Sequence, residues 1–295
     1  MPEHPRGAAV MALWSPQPPL NGAAVFLSAS VPHPERDKRF LAGPFDDWLM
    51  LRVIDQRVYD AVQCLVAQLL SAGGRLVHGG HPSITNAIAA QAGNWLSSSD
   101  ETPAEGESPV LLYQSEFFAG KPAPPGRDEM AASGFATLRW TPKSLTETSL
   151  YGMPITERYN LQADWIEAWL SKQAAPEASP VLREALLVMR LHMLLETQPC
   201  AAVCIGGMEG IEAEAELYTD LCNHGLLPGE GTVQVLTSTF GAAAQLEGER
   251  VRLVDRRSRS TAATAEMDLL ERLDYDGVMR ELVAGFRPQP HGTSQ

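Results

Sequence analysis

Features that mark secreted, disulfide-bonded or membrane-spanning proteins are scarce in this sequence. Its 295 residues include only four cysteines, which are too few for a disulfide scaffold. No stretch approaches the roughly 20 continuous apolar residues of a membrane span. Prolines interrupt the first 20 residues, so this segment does not resemble a signal peptide. We therefore expect a cytoplasmic protein with no membrane partner.

Positive charge is scarce as well. The chain has 23 Lys and Arg against 36 Asp and Glu, which gives a net charge of −13. Broad nucleic-acid binding requires a positive field, so a nucleic-acid partner is not expected. Histidines and cysteines do not occur at metal-ligand spacing, and we expect neither a metal ion nor a cofactor. A small anionic ligand, held by a few local donors, remains compatible with this charge.

Short apolar runs alternate with segments of helical periodicity along most of the chain. Strands are predicted at 23–27, 75–77, 109–113, 135–140, 201–205 and 232–236. Helices are predicted at 53–70, 83–91, 181–196 and 211–222, and near 265–286. Repeated strand–helix–strand order predicts a parallel sheet with helices on both faces. The fold class is therefore α/β, as a single Rossmann-like domain.

The domain is expected to span 21–286, because the Pro-rich ends at 1–20 and 287–295 lack periodicity and indicate disordered tails. The alternation breaks at about 141–182, which predicts a helical insertion with one helix near 157–173. Trp165 and Trp169 share a face of that helix, suited either to the core or to an oligomer contact.

Three predicted strand-to-helix corners carry unusual chemistry. They are Ser28-Ala29-Ser30, Gly79-Gly80-His81-Pro82, and Gly206-Gly207-Met208-Glu209-Gly210. In such folds ligands bind outside the carboxyl ends of the strands, where glycines admit a ligand and helix N-termini favour anions. A tight turn is the alternative for any one corner. The spacing matches neither the dinucleotide fingerprint nor the P-loop.

Other candidates lie at neighbouring strand ends. Gln114 ends the third predicted strand, and Ser238 precedes a predicted helix N-terminus. His81 can contact a base or transfer a proton, or it can be an exposed turn residue. The predicted ligand-binding residues are Ser28, Ser30, Gly79, Gly80, His81, Gln114, Arg190, Gly206, Gly207, Met208, Glu209, Gly210, Glu214 and Ser238.

Several phrases together resemble the SLOG superfamily, which includes the Lonely Guy phosphoribohydrolases and the DNA-uptake protein DprA. These phrases are FLSASVP, LVHGGHPSIT, LLYQSEFF, MRLHML, CIGGMEGIEAEAELY and STFGAAAQL. More narrowly, they are similar to the subfamily found in prokaryotic conflict and antiviral systems. The resemblance covers most of 23–286, apart from about 145–180.

The resemblance gives two residues a possible catalytic role. Arg190 stands sixteen residues ahead of Gly206, where Lonely Guy enzymes carry their arginine, and Glu214 takes the place of their catalytic glutamate. A carboxylate beside the sugar can support N-glycosidic cleavage, and an arginine can hold a phosphate. The same groups can bind a ribose and a phosphate without reaction. Leu191 and Ile211 replace the family's lysine and threonine, which counts against hydrolysis.

The resemblance implies a sensor for a nucleotide-derived signal such as an ADP-ribose-type molecule. By analogy with relatives a homo-oligomer is expected. The sequence carries no obvious effector, so the protein would act alone as a receptor or sink, or with an effector protein encoded elsewhere. The alternative is a phosphoribohydrolase that cleaves the N-glycosidic bond of a nucleotide. A DprA-like DNA binder is disfavoured by the acidic charge.

Overall fold

One parallel sheet organises the computed structural model, which describes residues 20–32, 48–98, 108–121, 127–128, 134–147, 152–173, 178–255 and 273–287. Within these ranges the sheet has seven strands in the order β4-β3-β2-β1-β5-β6-β7. Each neighbouring pair is parallel. The strands are β1 (Ala24–Ser30), β2 (Arg75–His78), β3 (Val110–Ser115), β4 (Ala136–Thr141), β5 (Ala201–Gly206), β6 (Val233–Leu236) and β7 (Val251–Leu253). The predicted α/β fold class is confirmed.

Helices cover both faces of the sheet. They are α1 (Trp48–Ser71), α2 (Pro82–Ser98), α3 (Ile155–Arg158), α4 (Ala163–Ser171), α5 (Pro180–Thr197), α6 (Glu209–Asn223) and α7 (Tyr275–Gly285). One apolar cluster joins the sheet to α3, α4, α5 and α6, and a second joins its other face to α1, α2 and α7. None of the helices in this part of the chain combines the length and apolarity of a transmembrane segment.

Strand β1 shows why the strands are short apolar runs rather than alternating ones. All seven of its residues are buried. Phe26 packs in one core cluster, and Val25 and Leu27 pack in the other, because successive side chains point to opposite faces. With helices on both sides, both sets of positions must be apolar or hydrogen-bonded.

The order of the strands reverses at β1. From β1 the chain builds outward through β2, β3 and β4, and then returns to place β5 on the other side of β1. Helices that follow strands on opposite sides of such a reversal diverge, and the gap between them is where open α/β sheets bind ligands. The carboxyl ends of β1 and β5 are therefore the expected position of a site.

The predicted insertion helix is two helices in the structure. Helix α3 ends at Arg158, and Asn160 adopts a left-handed conformation with φ of 49° before α4 begins at Ala163. A residue in that conformation interrupts the helical hydrogen-bond pattern, which a periodicity analysis does not detect. The prediction of one continuous helix at 157–173 is therefore wrong.

The inserted helices are anchored to the domain. The indole Nε1–H groups of Trp165 and Trp169 both donate to Asp220 Oδ2 on α6, at 2.7 and 2.9 Å. Trp169 is buried in the core cluster, together with Ile155 and Ile166. Trp169 is thus a core residue, and Asp220 provides the polar partner that a buried indole requires.

Only part of the last predicted helix, near 265–286, lies within the described residues. That part is α7, which begins at Tyr275, where the Asp274 side chain caps it by accepting from Gly277 N at 3.0 Å. Residues 256–272 lie outside the described part of the chain, as do 1–19 and 288–295 of the predicted tails. The three-residue strand β7 was not predicted, because it is too short to show a pattern.

Gly206 is expected to be intolerant of a side chain. Its φ is +62°, and a Cβ there would lie 2.7 Å from Ser30 O and 2.8 Å from Val58 Cγ2. We expect Gly206→Ala to lower the free energy of unfolding by about 3 kcal/mol, through backbone strain and overpacking. Gly225 has φ of +69° with open space around it. Gly225→Ala therefore isolates the strain, at about 1 kcal/mol. If Gly206→Ala and Gly225→Ala lower the free energy of unfolding in urea by the same amount, the close contact of Gly206 with Ser30 and Val58 does not limit the side chain at this position.

Candidate ligand-binding site

A cavity of about 510 Å³ lies at the carboxyl ends of the strands. This volume is within the range of about 300–1,000 Å³ that is usual for small-molecule sites. Its lining includes Ser28 and Ser30 from the first corner, Gly79 to His81 from the second, and Met208 to Gly210 from the third. The three corners that the sequence singled out therefore border one space.

Eleven of the predicted ligand-binding residues line this cavity. They are Ser28, Ser30, Gly79, Gly80, His81, Gln114, Arg190, Met208, Glu209, Gly210 and Glu214. Gly206 and Gly207 lie behind it, where Gly207 N donates to Ser30 O at 2.6 Å and ties the first corner to the third.

Ser238 also lies outside the cavity lining. Residues Thr237–Thr239 form a short 3-10 turn, not the α-helix N-terminus that the sequence suggested. The Ser238 hydroxyl bonds to the Tyr275 hydroxyl at 3.1 Å, and its N–H donates to Asp255 Oδ2 at 2.7 Å. The polar groups of Ser238 therefore bind α7, through Tyr275, and the segment after β7, through Asp255.

The Glu214 carboxylate is hydrogen-bonded through both of its oxygens. Ser28 Oγ donates to its Oε2 at 2.5 Å, and Arg190 Nε donates to its Oε1 at 2.9 Å. Its side chain is 16% exposed and that of Arg190 is 6% exposed. Neither residue is a solvated surface group, and the carboxylate is fixed from both sides.

Arg190 connects this carboxylate to the inserted helices. Its Nη1 donates to Gln173 Oε1, and Gln173, which is fully buried, donates through Nε2 to Trp169 O at 3.2 Å. A Cβ on Gly210 would lie 3.3 Å from Arg190 Nη2, so the guanidinium lies against the third corner. Arg190 is thus a positioning group for Glu214, held by α4, α5 and α6 together.

The second corner is joined to the first by Ser83. Ser83 Oγ accepts from Val31 N at 2.9 Å and lies 2.8 Å from His81 Nδ1. Ser83 N also donates to His81 Nδ1, at 3.3 Å. Because Nδ1 acts as an acceptor, a neutral His81 carries its proton on Nε2. His81 is half-buried and lines the cavity. It is therefore placed where it could contact a ligand, and it is not a fully exposed turn residue.

Sequence reasoning missed the apolar wall of the cavity. Leu182, Leu186 and Met189 of α5 line one side, joined by Phe118 and Ile211. The three α5 residues recur at helical spacing, so they share a face. That spacing was visible in the sequence, but it equally fits a helix packed only on the sheet. Such a wall suits an aromatic or aliphatic part of a ligand.

Cationic groups at the rim were missed as well. Arg127 and Lys121 line the cavity beyond the end of β3. Arg127 Nη1 donates to Gln114 Oε1 at 2.8 Å, and its guanidinium stacks over the Trp140 ring at 5.6 Å. Both cations come from a stretch of the sequence rich in Gly and Pro, GKPAPPGRD, which has no periodic signal by which to identify them. They add two cationic side chains to the lining, of which Arg127 also pairs with Asp128 at 2.8 Å.

His78, at the end of β2, was not among the predicted ligand-binding residues either. It lines the cavity and is almost completely buried, and burial lowers its pKa to about 3. Among the described residues, no group of three or more His, Cys, Asp and Glu side chains is arranged to hold a metal ion.

The buried ion pair generates a stability prediction. Arg190→Met removes the donor to Glu214 and to Gln173 and leaves the carboxylate uncompensated. We expect the free energy of unfolding to fall by about 3 kcal/mol. Arg280→Met removes an arginine from an exposed i, i+4 pair with Asp276, for an expected loss below about 0.5 kcal/mol. If both variants unfold at the same urea concentration, the pair does not stabilise the fold.

Comparison with known proteins assigns part of the chain to a family. Residues 173–279 match the model of the SLOG cluster3 family, a little over a third of the chain. The segment includes α5, β5, α6 and β6, and hence Arg190 and Glu214, whereas β1 to β4 lie outside it. No curated protein and no solved structure matches the sequence. Residues 173–279 are therefore a SLOG cluster3 family domain, within the SLOG superfamily.

Proposed function

We propose that this cavity binds a nucleotide-derived small molecule and that the protein is a receptor for an ADP-ribose-type signal. The observation that carries the proposal is the Glu214 carboxylate, fixed in the cavity by Ser28 and Arg190 where three glycine and serine corners meet. Membership of residues 173–279 in the SLOG cluster3 family supports it, since nucleotide-derived ligands are suggested for that superfamily.

The polar side of the cavity suits a ribose. A carboxylate has about four acceptor positions, and Ser28 and Arg190 use two of those of Glu214. The remaining positions can accept from the vicinal hydroxyls of a sugar. The Ser28 and Ser30 hydroxyls lie beside it in the same lining.

The remaining parts of a nucleotide have matching surfaces. The wall of Leu182, Leu186 and Met189 offers an apolar face to a base, and the glycine corners bring backbone amides close to a phosphate. Arg127 and Lys121 add positive charge at the rim. An acidic protein can therefore bind an anion, because the donors act over a few ångströms and the net charge is largely screened beyond about 10 Å.

The receptor role is favoured over catalysis by the bonding of Glu214. Both of its oxygens already accept strong hydrogen bonds, so its geometry is that of a fixed acceptor. We include in the proposal a role in a prokaryotic stress or antiviral system, a homo-oligomeric state, and an effector protein encoded elsewhere. These three parts rest on the resemblance to conflict-system members.

A ligand screen tests the proposal. We expect ADP-ribose, or another of AMP, NAD⁺ and cyclic nucleotides, to raise the melting temperature. At 100 times its Kd the ligand contributes about 2.7 kcal/mol. Glu214→Gln should reduce the rise without abolishing it, since the amide keeps one acceptor oxygen. Glu216→Gln, an exposed change on the same helix, should leave the rise intact. No rise with any of these compounds would refute the proposal.

The alternative is a phosphoribohydrolase, which adds water across the N-glycosidic bond and releases a free base. The observation that favours it is a buried carboxylate in the cavity with an arginine beside it. When wild-type protein is incubated with AMP, we expect chromatography of the mixture to detect no free adenine. Adenine release that Glu214→Gln abolishes and Glu216→Gln preserves would replace the receptor with the hydrolase.

A further inference from the structure

Gln114 and Arg127 form a hydrogen-bonded pair of side chains at the end of β3. Arg127 Nη1 donates to Gln114 Oε1 at 2.8 Å. A guanidinium has donors and no acceptor, so this bond determines which end of the amide is the oxygen and leaves the Nε2 group at the other end. Both side chains line the cavity. Their donors therefore belong to one cluster in the lining.

The amide nitrogen of Gln114 is available to a ligand. Gln114 as a whole is 6% exposed, and its Nε2 donates to no residue in the described part of the chain. The described side-chain atoms that are both unpaired and inaccessible to solvent do not include this nitrogen. Nε2 therefore retains accessible surface, which an acceptor atom of a ligand can reach.

Strands β3 and β4 together support the guanidinium of Arg127. Trp140 of β4 pairs in register with Gln114 of β3, so the two side chains point to the same face of the sheet. Arg127 Cζ lies 5.6 Å from the centroid of the Trp140 ring, and Arg127 Nε donates to Asp128 Oδ1 at 2.8 Å. The guanidinium is thus held by three residues, and its bonds to Gln114 and Asp128 use two of its five N–H groups.

The charge of Arg127 is more weakly neutralised than that of Arg190. The Arg127 side chain is 13% exposed, whereas that of its partner Asp128 is 70% exposed. An ion pair with an exposed acid is weakened by water and by salt. Arg190, in contrast, pairs with a carboxylate whose side chain is 16% exposed. A cation that is largely removed from water and weakly neutralised favours an anion in the cavity beside it.

This cluster lies two strands away from the residues that hold Glu214. Ser28, which donates to Glu214, belongs to β1, and β2 separates β1 from β3. Because neighbouring strands are about 4.8 Å apart, the two groups of side chains start roughly 10 Å from each other. In a nucleoside monophosphate a single carbon joins the ribose to its only phosphate. A ligand whose ribose is held at Glu214 therefore reaches Gln114 and Arg127 more readily through a diphosphate.

We propose that Gln114 and Arg127 form an anion subsite of the cavity, which binds the second phosphate of a nucleoside diphosphate or of a diphosphate-linked nucleotide. The inference rests on the proposed function and deepens it, because it names the class of ligand. Gln114 Nε2 and the remaining N–H groups of Arg127 donate to phosphate oxygens, and the guanidinium charge neutralises them. A nucleoside monophosphate does not fill this subsite.

Two substitutions remove the donors of the subsite. Arg127→Met removes the cation, and Gln114→Glu keeps an oxygen for Arg127 Nη1 but replaces the Nε2 donor with a negatively charged oxygen. By calorimetry, we expect each variant to bind ADP and ADP-ribose about tenfold more weakly than wild type, and to bind AMP within about twofold of wild type. Arg280→Met and Gln162→Glu make the same changes of charge at exposed positions, and both should bind as wild type does.

The comparison of ADP with AMP distinguishes this role from a structural one. A variant that distorts the cavity loses affinity for both nucleotides, whereas loss of the contact with the second phosphate weakens ADP alone. Equal weakening of AMP and ADP would overturn the inference, and so would unchanged binding of ADP. If ADP-ribose is weakened and ADP is not, the two residues contact the distal ribose, and the inference is also wrong.

Failure of the inference and failure of the proposed function give different results with wild-type protein. If wild type binds AMP or another compound of the screen, but binds neither ADP nor ADP-ribose more tightly than AMP, the inference fails and the proposed function stands. If wild type binds none of AMP, ADP and ADP-ribose, and the wider screen shows no rise in melting temperature, the proposed function fails and the inference fails with it.

Discussion

The interaction on which the site depends is the pairing of the Glu214 carboxylate with Ser28 and Arg190. It joins the end of β1 to α5 and α6, which lie far from β1 in the sequence. A buried charge is costly unless it is paired and hydrogen-bonded, and here each carboxylate oxygen has a donor. The hydrogen bonds that stabilise the buried charge of Glu214 also fix the position of its carboxylate oxygens, which are acceptors, in the cavity.

The residues that surround Arg190 and the inserted helices are also held by hydrogen bonds between buried polar groups. Gln173 holds the guanidinium from the end of the inserted segment, and Asp220 holds the indoles of Trp165 and Trp169. Helix α5 therefore contributes on two sides: Leu182, Leu186 and Met189 form an apolar wall, and Arg190 points to the polar network. The inserted helices complete the support of the site, although they do not line the cavity.

The cavity of this acidic protein combines a polar and an apolar side. The lining combines glycine corners, two serine hydroxyls and a fixed carboxylate with a hydrocarbon wall, and its cations are the buried Arg190 and, beyond β3, Lys121 and Arg127. Binding energy in such a site comes from a few short-range contacts, so net charge has little influence.

The sequence by itself determined the class of fold and the positions of the three corners, because apolar runs and helical periodicity are local patterns and glycines mark turns. It did not determine that Ser28 and Glu214, 186 positions apart, share a hydrogen bond. That contact exists only because β5 lies beside β1, and strand order is a property of the whole sheet. The burial of His78 and of Ser238 and the break at Asn160 were likewise decided by tertiary structure, since each depends on which neighbours arrive from distant parts of the chain.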